Sequence, residues 1–364
     1  MTKLRILMVI GALDYCNGIT AYALNYYSRL DPKKYHIDFA VHYDFDTEYK
    51  NRLLANGSNV FFMGDFSIKS MLGLSKRIRA LYREHPYDIV HCHILNVAPF
   101  YFKEAIKAHI PVRIIHSHAT KNSDNPLKNI RNSIFKKMAL RTCTNRFACS
   151  KLAGDYLFKN NYTVVANAID YQRFQYSLDK RNDLIQQHGL SQDKLILGFI
   201  GRFTEQKNLP FLLNVLLGLK SRGKANYHAF IIGDGHLGSF ISSFINEHNL
   251  GECVQIVPAQ PDVSAYYSLF DILLLPSLFE GLPVTGVEAQ VAGCDVFCAD
   301  TISEELNFSG RCRYLPIDDV APWIEAIETF EKPRTRELPG PEYDLDAQAN
   351  RLDALYHDLM ERKA

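Results

Sequence analysis

Short runs of residues that are apolar on both faces recur along this chain, each followed by a helix-length segment, and they constrain its fold more than any other feature. Arg5-Ile6-Leu7-Met8-Val9-Ile10 is such a run. A strand with one wet face alternates apolar and polar residues, whereas a parallel strand covered by helices on both sides does not. Residues 4–12, 36–42, 60–63, 88–93, 112–118 and 147–150 read as one series of strands. A polar stretch over 171–194, without a strand pattern, reads as the crossing between domains. A second series then follows at 194–201, 227–233, 254–257, 271–277 and 295–299, with helices expected near 208–222, 236–249, 263–270 and 283–292. The fold class is therefore α/β, with two Rossmann-like, doubly wound parallel sheets. Such sheets bind ligands at the carboxyl ends of their strands, and two of them facing each other make a cleft.

The 364 residues suffice for two domains of roughly 170 residues, each with its own core. An apolar share of 47% with 22% charged residues suits a soluble enzyme. No apolar stretch approaches the ~20 residues of a membrane-spanning helix. The start runs straight into Gly11-Ala12-Leu13-Asp14 and reads as a buried strand rather than a signal peptide. Eight cysteines without CxxC spacing, several of them inside strands, point to a reducing cytoplasm. The net charge of +1 conceals an asymmetry: residues 1–170 hold 24 Lys and Arg against 13 Asp and Glu, whereas residues 171–364 hold 17 against 27. A basic half suits nucleic acid, an anionic membrane surface or a phosphorylated substrate equally, so the motifs must choose.

The densest motif is Pro276-Ser277-Leu278-Phe279-Glu280-Gly281-Leu282-Pro283-Val284-Thr285-Gly286-Val287-Glu288-Ala289-Gln290. It runs from a buried strand through a Gly/Pro loop into a helix that begins near Pro283. The free N–H groups of Val284 and Thr285 at that helix start form an anion site. Glu280 and Glu288 bracket it, and carboxylates accept hydrogen bonds from sugar and ribose hydroxyls. As isolated acids they would be a loop charge and a helix-face charge; the surroundings carry the reading. Upstream, Gly201-Arg202-Phe203-Thr204-Glu205-Gln206-Lys207-Asn208 puts two cations five residues apart after a strand, by themselves a surface pair, although two cations beside a helix N-terminus can neutralise a diphosphate.

These elements resemble the retaining family 4 glycosyltransferases. Glu280 and Glu288 match the family's E-x7-E element, and Arg202 and Lys207 its Arg and Lys. Asn17-Gly18 stands where the family usually has Gly-Gly, with Asn tolerating positive φ, and Thr20 replaces a commonly acidic residue. His118, with His116 second, matches the histidine that reaches toward donor sugar and acceptor. Gly233, in Ile232-Gly233-Asp234-Gly235, precedes the segment Pro258-Ala259-Gln260 where the family seats the base. The resemblance extends to Phe147-Ala148-Cys149-Ser150, Asn167-Ala168-Ile169-Asp170, Phe174 and the tail Tyr343-Asp344-Leu345-Asp346, and it points to the capsular and exopolysaccharide branch.

The resemblance implies the GT-B fold. Residues 1–170 with about 345–364 would form the acceptor domain and 171–344 the donor domain, a helix near 347–362 crossing back to the first. The implied reaction moves a sugar from a nucleotide-sugar, UDP-linked by expectation, to a hydroxyl of a polyprenyl-diphosphate-linked saccharide, with retention and without metal or other cofactor. His118, Arg202, Lys207 and Glu280 would be the catalytic set. Gly18, Arg202, Lys207, Gly233, Gly281, Leu282, Pro283, Val284, Thr285 and Glu288 would hold the donor. The product would be hexosyl or N-acetylhexosaminyl transfer in the cytoplasm or at the cytoplasmic face of the inner membrane, reached through the basic N-terminal domain, with no nucleic acid as partner.

Other readings attach to the same residues. His91 and His93, and His116 and His118, share strand faces as metal ligands would, but no third ligand follows at a suitable spacing, so no metal is expected. Asp44-Phe45-Asp46 has the DxD form of another glycosyltransferase fold but reads as a solvated loop. Lys128, Arg131, Lys136, Lys137 and Arg141 around Ile130, Ile134, Phe135, Met138 and Leu140 form a basic amphipathic helix, which either packs on the core or lies on an anionic membrane. A UDP-sugar epimerase of the same fold, or a non-catalytic sugar-nucleotide-binding partner subunit, are the alternatives.

Overall fold

The computed structural model describes residues 3–14, 17–43, 48–118, 126–223, 226–332 and 336–362. Asp44-Phe45-Asp46 lies outside them. The chain divides into two compact units, Met1–Ala168 with Leu345–Ala364, and Ile169–Asp344.

The first unit carries a seven-stranded, all-parallel sheet. Its strands are β1 (Leu4–Ile10), β2 (Tyr35–Val41), β3 (Val60–Phe62), β4 (Ile89–Cys92), β5 (Val112–Ser117), β6 (Asn145–Ala148) and β7 (Thr163–Val164), in the order β3-β2-β1-β4-β5-β6-β7. Residues 6–10 of β1 are completely buried, as a strand covered on both faces must be. The helix Leu345–Glu361 belongs to this unit, and its Leu352 and Tyr356 are fully buried in the core with Tyr22, Tyr26 and Phe39. Tyr26 and Asn25 of the helix Gly18–Arg29 donate to the carbonyls of Ala166 and Ala168 at 2.7 and 2.8 Å, fastening the end of the 1–168 segment to the same core.

The second unit carries six parallel strands, β8 (Leu195–Ile200), β9 (Tyr227–Gly233), β10 (Val254–Pro258), β11 (Ile272–Leu275), β12 (Asp295–Ala299) and β13 (Cys312–Leu315), in the order β10-β9-β8-β11-β12-β13. Its core packs Leu212, Leu213 and Leu216 of the helix Leu209–Arg222 with fully buried Trp323. In both sheets the strand order reverses once, between β1 and β4 and between β8 and β11, and open parallel sheets take ligands at such points.

The stretch 171–194 is not a structureless crossing. It holds the helices Tyr171–Phe174 and Leu178–Gln187 of the second unit, started by Asp170 and Ser177, whose side chains accept from Gln172 and Arg173 and from Lys180. N-caps of this kind offset the polar composition that hid the helices. The edge strands β7 and β13 have no counterpart in the sequence reading. β7 is two residues long, and β13 has Arg313 exposed between partly buried neighbours, so neither presents an apolar run.

Candidate functional site

In the second unit, the loop after β8 and the loop after β11 are laced together. Leu278 N–H donates to Gln206 O at 2.9 Å, and Gln206 Nε2 donates to Phe279 O at 2.9 Å. This brings Lys207 Nζ onto Glu280 Oε1 as a largely buried ion pair. The pair is a charge-assisted contact between two residues 73 apart in sequence. Arg202, from the same first loop, is exposed, and its side chain makes no hydrogen bond or ion pair among the described residues.

Beyond Glu280 the chain runs through buried Gly281, Leu282 and Pro283 into the helix Val284–Val291, with Pro283 as the N-cap. A proline there makes no side-chain cap, so the N–H groups of Val284 and Thr285 keep no helical acceptor. Two buried hydroxyls beside this turn, Ser277 Oγ and Thr285 Oγ1, also lack a partner among the described residues. The helix start is thus an electropositive set of donors.

Glu288, two turns on, is buried, and Tyr267 donates its hydroxyl to Glu288 Oε2 at 2.5 Å. Burial pushes the Glu288 carboxyl up to about 7, against the opposing pull of the Tyr267 hydrogen bond and of Arg173. Arg173 itself pairs with Asp262 at 3.0 Å. Burial and the neighbouring carboxylate in turn push the Tyr267 hydroxyl well above its ordinary value, so it stays a donor. Tyr267 and Arg173 lie outside every motif, and only the lacing of separate elements brings them to the site beside Gln206 and Ser277.

Gly233 has a part in the backbone geometry beside the site. It ends β9 with φ +152°, and a Cβ on it would lie 1.9 Å from the Gly201 carbonyl oxygen. Its missing side chain therefore lets the two loop backbones approach, where Phe203 N–H donates to Asp234 O at 2.8 Å.

In the first unit, Asn17 does not use positive φ. It sits extended at φ −111° and caps the helix Gly18–Arg29, accepting from Ile19 N–H at 3.0 Å, with Gly18 exposed as the first helical residue. Thr20 is buried and donates to Ala12 O at 2.6 Å, a loop-closing role.

His118 lies just past β5, half buried, at the edge of a block of four stacked histidines. The spacing along the chain offered no third metal ligand, but the sheet supplies one. Parallel pairing of β4 with β5 sets His116 beside His91 and His93, with one nitrogen of each within 4.8 Å of the others. These imidazoles already face one another: His91 Nε2 lies 3.1 Å from His116 Nδ1, His93 Nδ1 lies 2.9 Å from His118 Nε2, and Tyr356 OH lies 2.8 Å from His91 Nδ1. Burial holds all four neutral, with His91 and His118 pushed down to about 3 and His93 and His116 well below the usual range.

The basic helix spans Pro126–Thr142, and the side chains of Lys128, Ile130 and Arg131 fall outside the described residues. Ala139 is buried and Phe135 meets Phe100 at 5.8 Å, while Ile134 and Met138 stay exposed beside Lys137 and Arg141. No described helix is long and apolar enough to cross a membrane.

Two family models match this chain in tandem, Glycosyltransferase Family 4 over residues 16–173 and Glycosyl transferases group 1 over residues 180–305. EpsF of Bacillus subtilis (strain 168) is 28% identical over 334 residues, 89% of this chain and 86% of that protein. The capsular polysaccharide biosynthesis glycosyltransferase CapH of Staphylococcus aureus is 24% identical over 225 residues, 60% of this chain and 61% of its own. The UDP-Gal:alpha-D-GlcNAc-diphosphoundecaprenol alpha-1,3-galactosyltransferase of Escherichia coli is 24% identical over 239 residues, 62% of this chain and 60% of its own. Among solved structures, Anabaena Alr3699/HepE in complex with UDP-glucose superposes with a TM-score of 0.80 at 16% identity, covering 98% of this chain and all of that one. With both of its units matched by their own models and its two parallel sheets in the GT-B arrangement of strands, the chain belongs to the family 4 glycosyltransferases.

Proposed function

We propose that the chain transfers a sugar from a UDP-sugar to a hydroxyl of a polyprenyl-diphosphate-linked saccharide, with retention of configuration, during capsular or exopolysaccharide synthesis. The observation that carries the donor half is the cradle of Lys207, Glu280, the start of the helix Val284–Val291 and Glu288 within one unit. Lys207, Arg202 and the helix start supply positive charge for the departing diphosphate, so the reading needs no metal. Glu280 and Glu288 are grips for hydroxyls of the sugar and the ribose, and neither is assigned acid–base duty. A diphosphate oxygen of the leaving group takes the acceptor proton on the face from which it departs. UDP as the donor's nucleotide is supported by the UDP-glucose complex of the structural neighbour, and a lipid-linked acceptor by the name of the Escherichia coli relative.

The N-terminal unit is assigned to the acceptor, with His118 reaching the reacting sugar. Docking of this unit on an anionic membrane is supported by its excess of basic residues and by Ile134 and Met138 exposed beside Lys137 and Arg141. The test is nucleotide release from UDP-, GDP- and ADP-sugars, with and without a polyprenyl-diphosphate saccharide, followed by the anomeric configuration of the product. UDP release should rise with acceptor, and Arg202→Ala should lower turnover on the order of 100-fold. A preference for a GDP-sugar would overturn the nucleotide, an inverted product the stereochemistry, and full turnover in both Arg202→Ala and Glu288→Ala the site.

A further inference from the structure

The four histidines form two hydrogen-bonded rows, one above the other. Tyr356, His91 and His116 make the inner row; His93 and His118 make the outer row, nearer the carboxyl ends of the strands. His91 stacks on His93 at 4.3 Å between ring centroids and His116 on His118 at 4.4 Å, and Tyr22 closes the side of the block, its ring 4.8–5.3 Å from those of His93, His116 and His118. His118 is the only member that is not fully enclosed, and among the described residues its Nδ1 makes no hydrogen bond.

Neutral imidazole carries a single N–H, so the contact between His93 Nδ1 and His118 Nε2 has two solutions. If the shared proton belonged to His118 Nε2, His93 would hold its own proton on Nε2. That atom is buried without a partner among the described residues, and an orphaned buried N–H is costly and rare. If the proton belongs to His93 Nδ1, only a lone pair is left unpaired at His93 Nε2, and the proton of His118 moves to its Nδ1.

We propose that His93 is a positioning residue that donates through Nδ1–H to His118 Nε2, fixing His118 as the neutral Nδ1–H tautomer and turning that N–H outward as a hydrogen-bond donor for the substrate. The inner row supports this geometrically, because His93 is packed against the stacked rings of His91 and His116, at 4.3 and 5.1 Å between centroids, with the ring of Tyr22 tilted beside it at 5.3 Å. A donor so fixed suits an oxygen of the transferred sugar or the acceptor. The inference rests on the reading of His118 as a substrate-facing group, and its test separates the two.

The experiment is ¹⁵N NMR of the ring nitrogens in histidine-labelled full-length protein, with turnover and bound-metal content measured alongside, for wild type, His93→Asn and His93→Leu. Asn keeps a donor near the position of Nδ1; Leu removes it. Wild type should show His118 protonated at Nδ1 and bare at Nε2. His93→Leu should populate the other tautomer and lower kcat about 10- to 100-fold, as loss of a partner orienting a functional histidine does, with KM for the donor nearly unchanged. His93→Asn should restore most of both. A proton on Nε2 in wild type, a tautomer indifferent to His93→Leu, or a stoichiometric metal held by these imidazoles would each overturn the proposal. His118→Ala tests the underlying reading: full turnover there removes the substrate-facing role, whatever the tautomer proves to be.

Discussion

At the scale of single residues, Glu288 makes the sharpest predictions, because burial and function pull on it in opposite directions. A carboxylate grips ribose hydroxyls by accepting from them, and a protonated carboxyl has one acceptor fewer. With the carboxyl held near 7, donor affinity should rise between pH 6 and pH 8 and then level, and isothermal titration across that range would show it. The stability effect has the opposite sense. A carboxyl whose pKa is raised by folding binds more protons in the native state, so its contribution is fully present below about pH 4.5 and is lost as the pH rises through 7. Glu288→Gln should therefore be more stable than wild type at pH 8, by up to roughly 3 kcal/mol, and lose that advantage toward pH 5. Equal unfolding midpoints for the two proteins at both pH values would refute the assignment. Lys207→Ala is expected to weaken donor binding, and it also strands Glu280 in a pocket where the ion pair had made its burial tolerable.

At the scale of elements, the site depends on loops that touch without sharing a motif. Gly233→Ala tests this, since its Cβ would collide with the Gly201 carbonyl and push apart the backbones that set Arg202 and Lys207. The variant should be destabilised by a few kcal/mol and lose donor affinity, with thermal melting and donor titration as the two readouts. Much of the element layout was legible in the sequence, because strands buried on both faces announce themselves: Leu4–Ile10, Tyr227–Gly233 and Ile272–Leu275 were each found within a few residues. Glu280, Glu288, Arg202 and Lys207 stood out through the resemblance of their motifs to those of the family 4 glycosyltransferases. What stayed hidden was what pairing between distant segments creates. The two-residue β7 and the half-exposed β13 have too little apolar pattern to show, the capped helices over 171–187 were masked by polar composition, and Tyr267 has no mark in sequence of its hold on Glu288. The histidines show the same limit: two i, i+2 pairs in sequence become one block of four only when β4 and β5 lie side by side.

At the scale of the molecule, acid should destabilise the first unit more steeply than the second. His42, His91, His93, His116 and His118 of the first unit are all held neutral by burial, against His188 and His228 in the second. A histidine whose pKa is lowered by folding contributes stability that is present above its unfolded value near 6.5 and is lost as the pH falls, at about 1.4 kcal/mol per pH unit for each group. The first unit should thus unfold ahead of the second between pH 6 and pH 5, as two resolved transitions in calorimetry, and His116→Asn should make the first transition less steep. A single coincident transition at every pH would count against it. The helix Leu345–Glu361 carries a further consequence. Its Leu352 and Tyr356 complete a core whose other walls lie before residue 169, so the whole second unit is encoded inside the first. A ribosome making this chain delivers the first unit's sheet early but withholds the wall made by Leu345–Glu361 until all of Ile169–Asp344 has emerged as one uninterrupted piece. Amino-terminal domains usually assemble first during translation; here the first unit keeps an unfinished hydrophobic face until the helix Leu345–Glu361 has followed the whole second unit out.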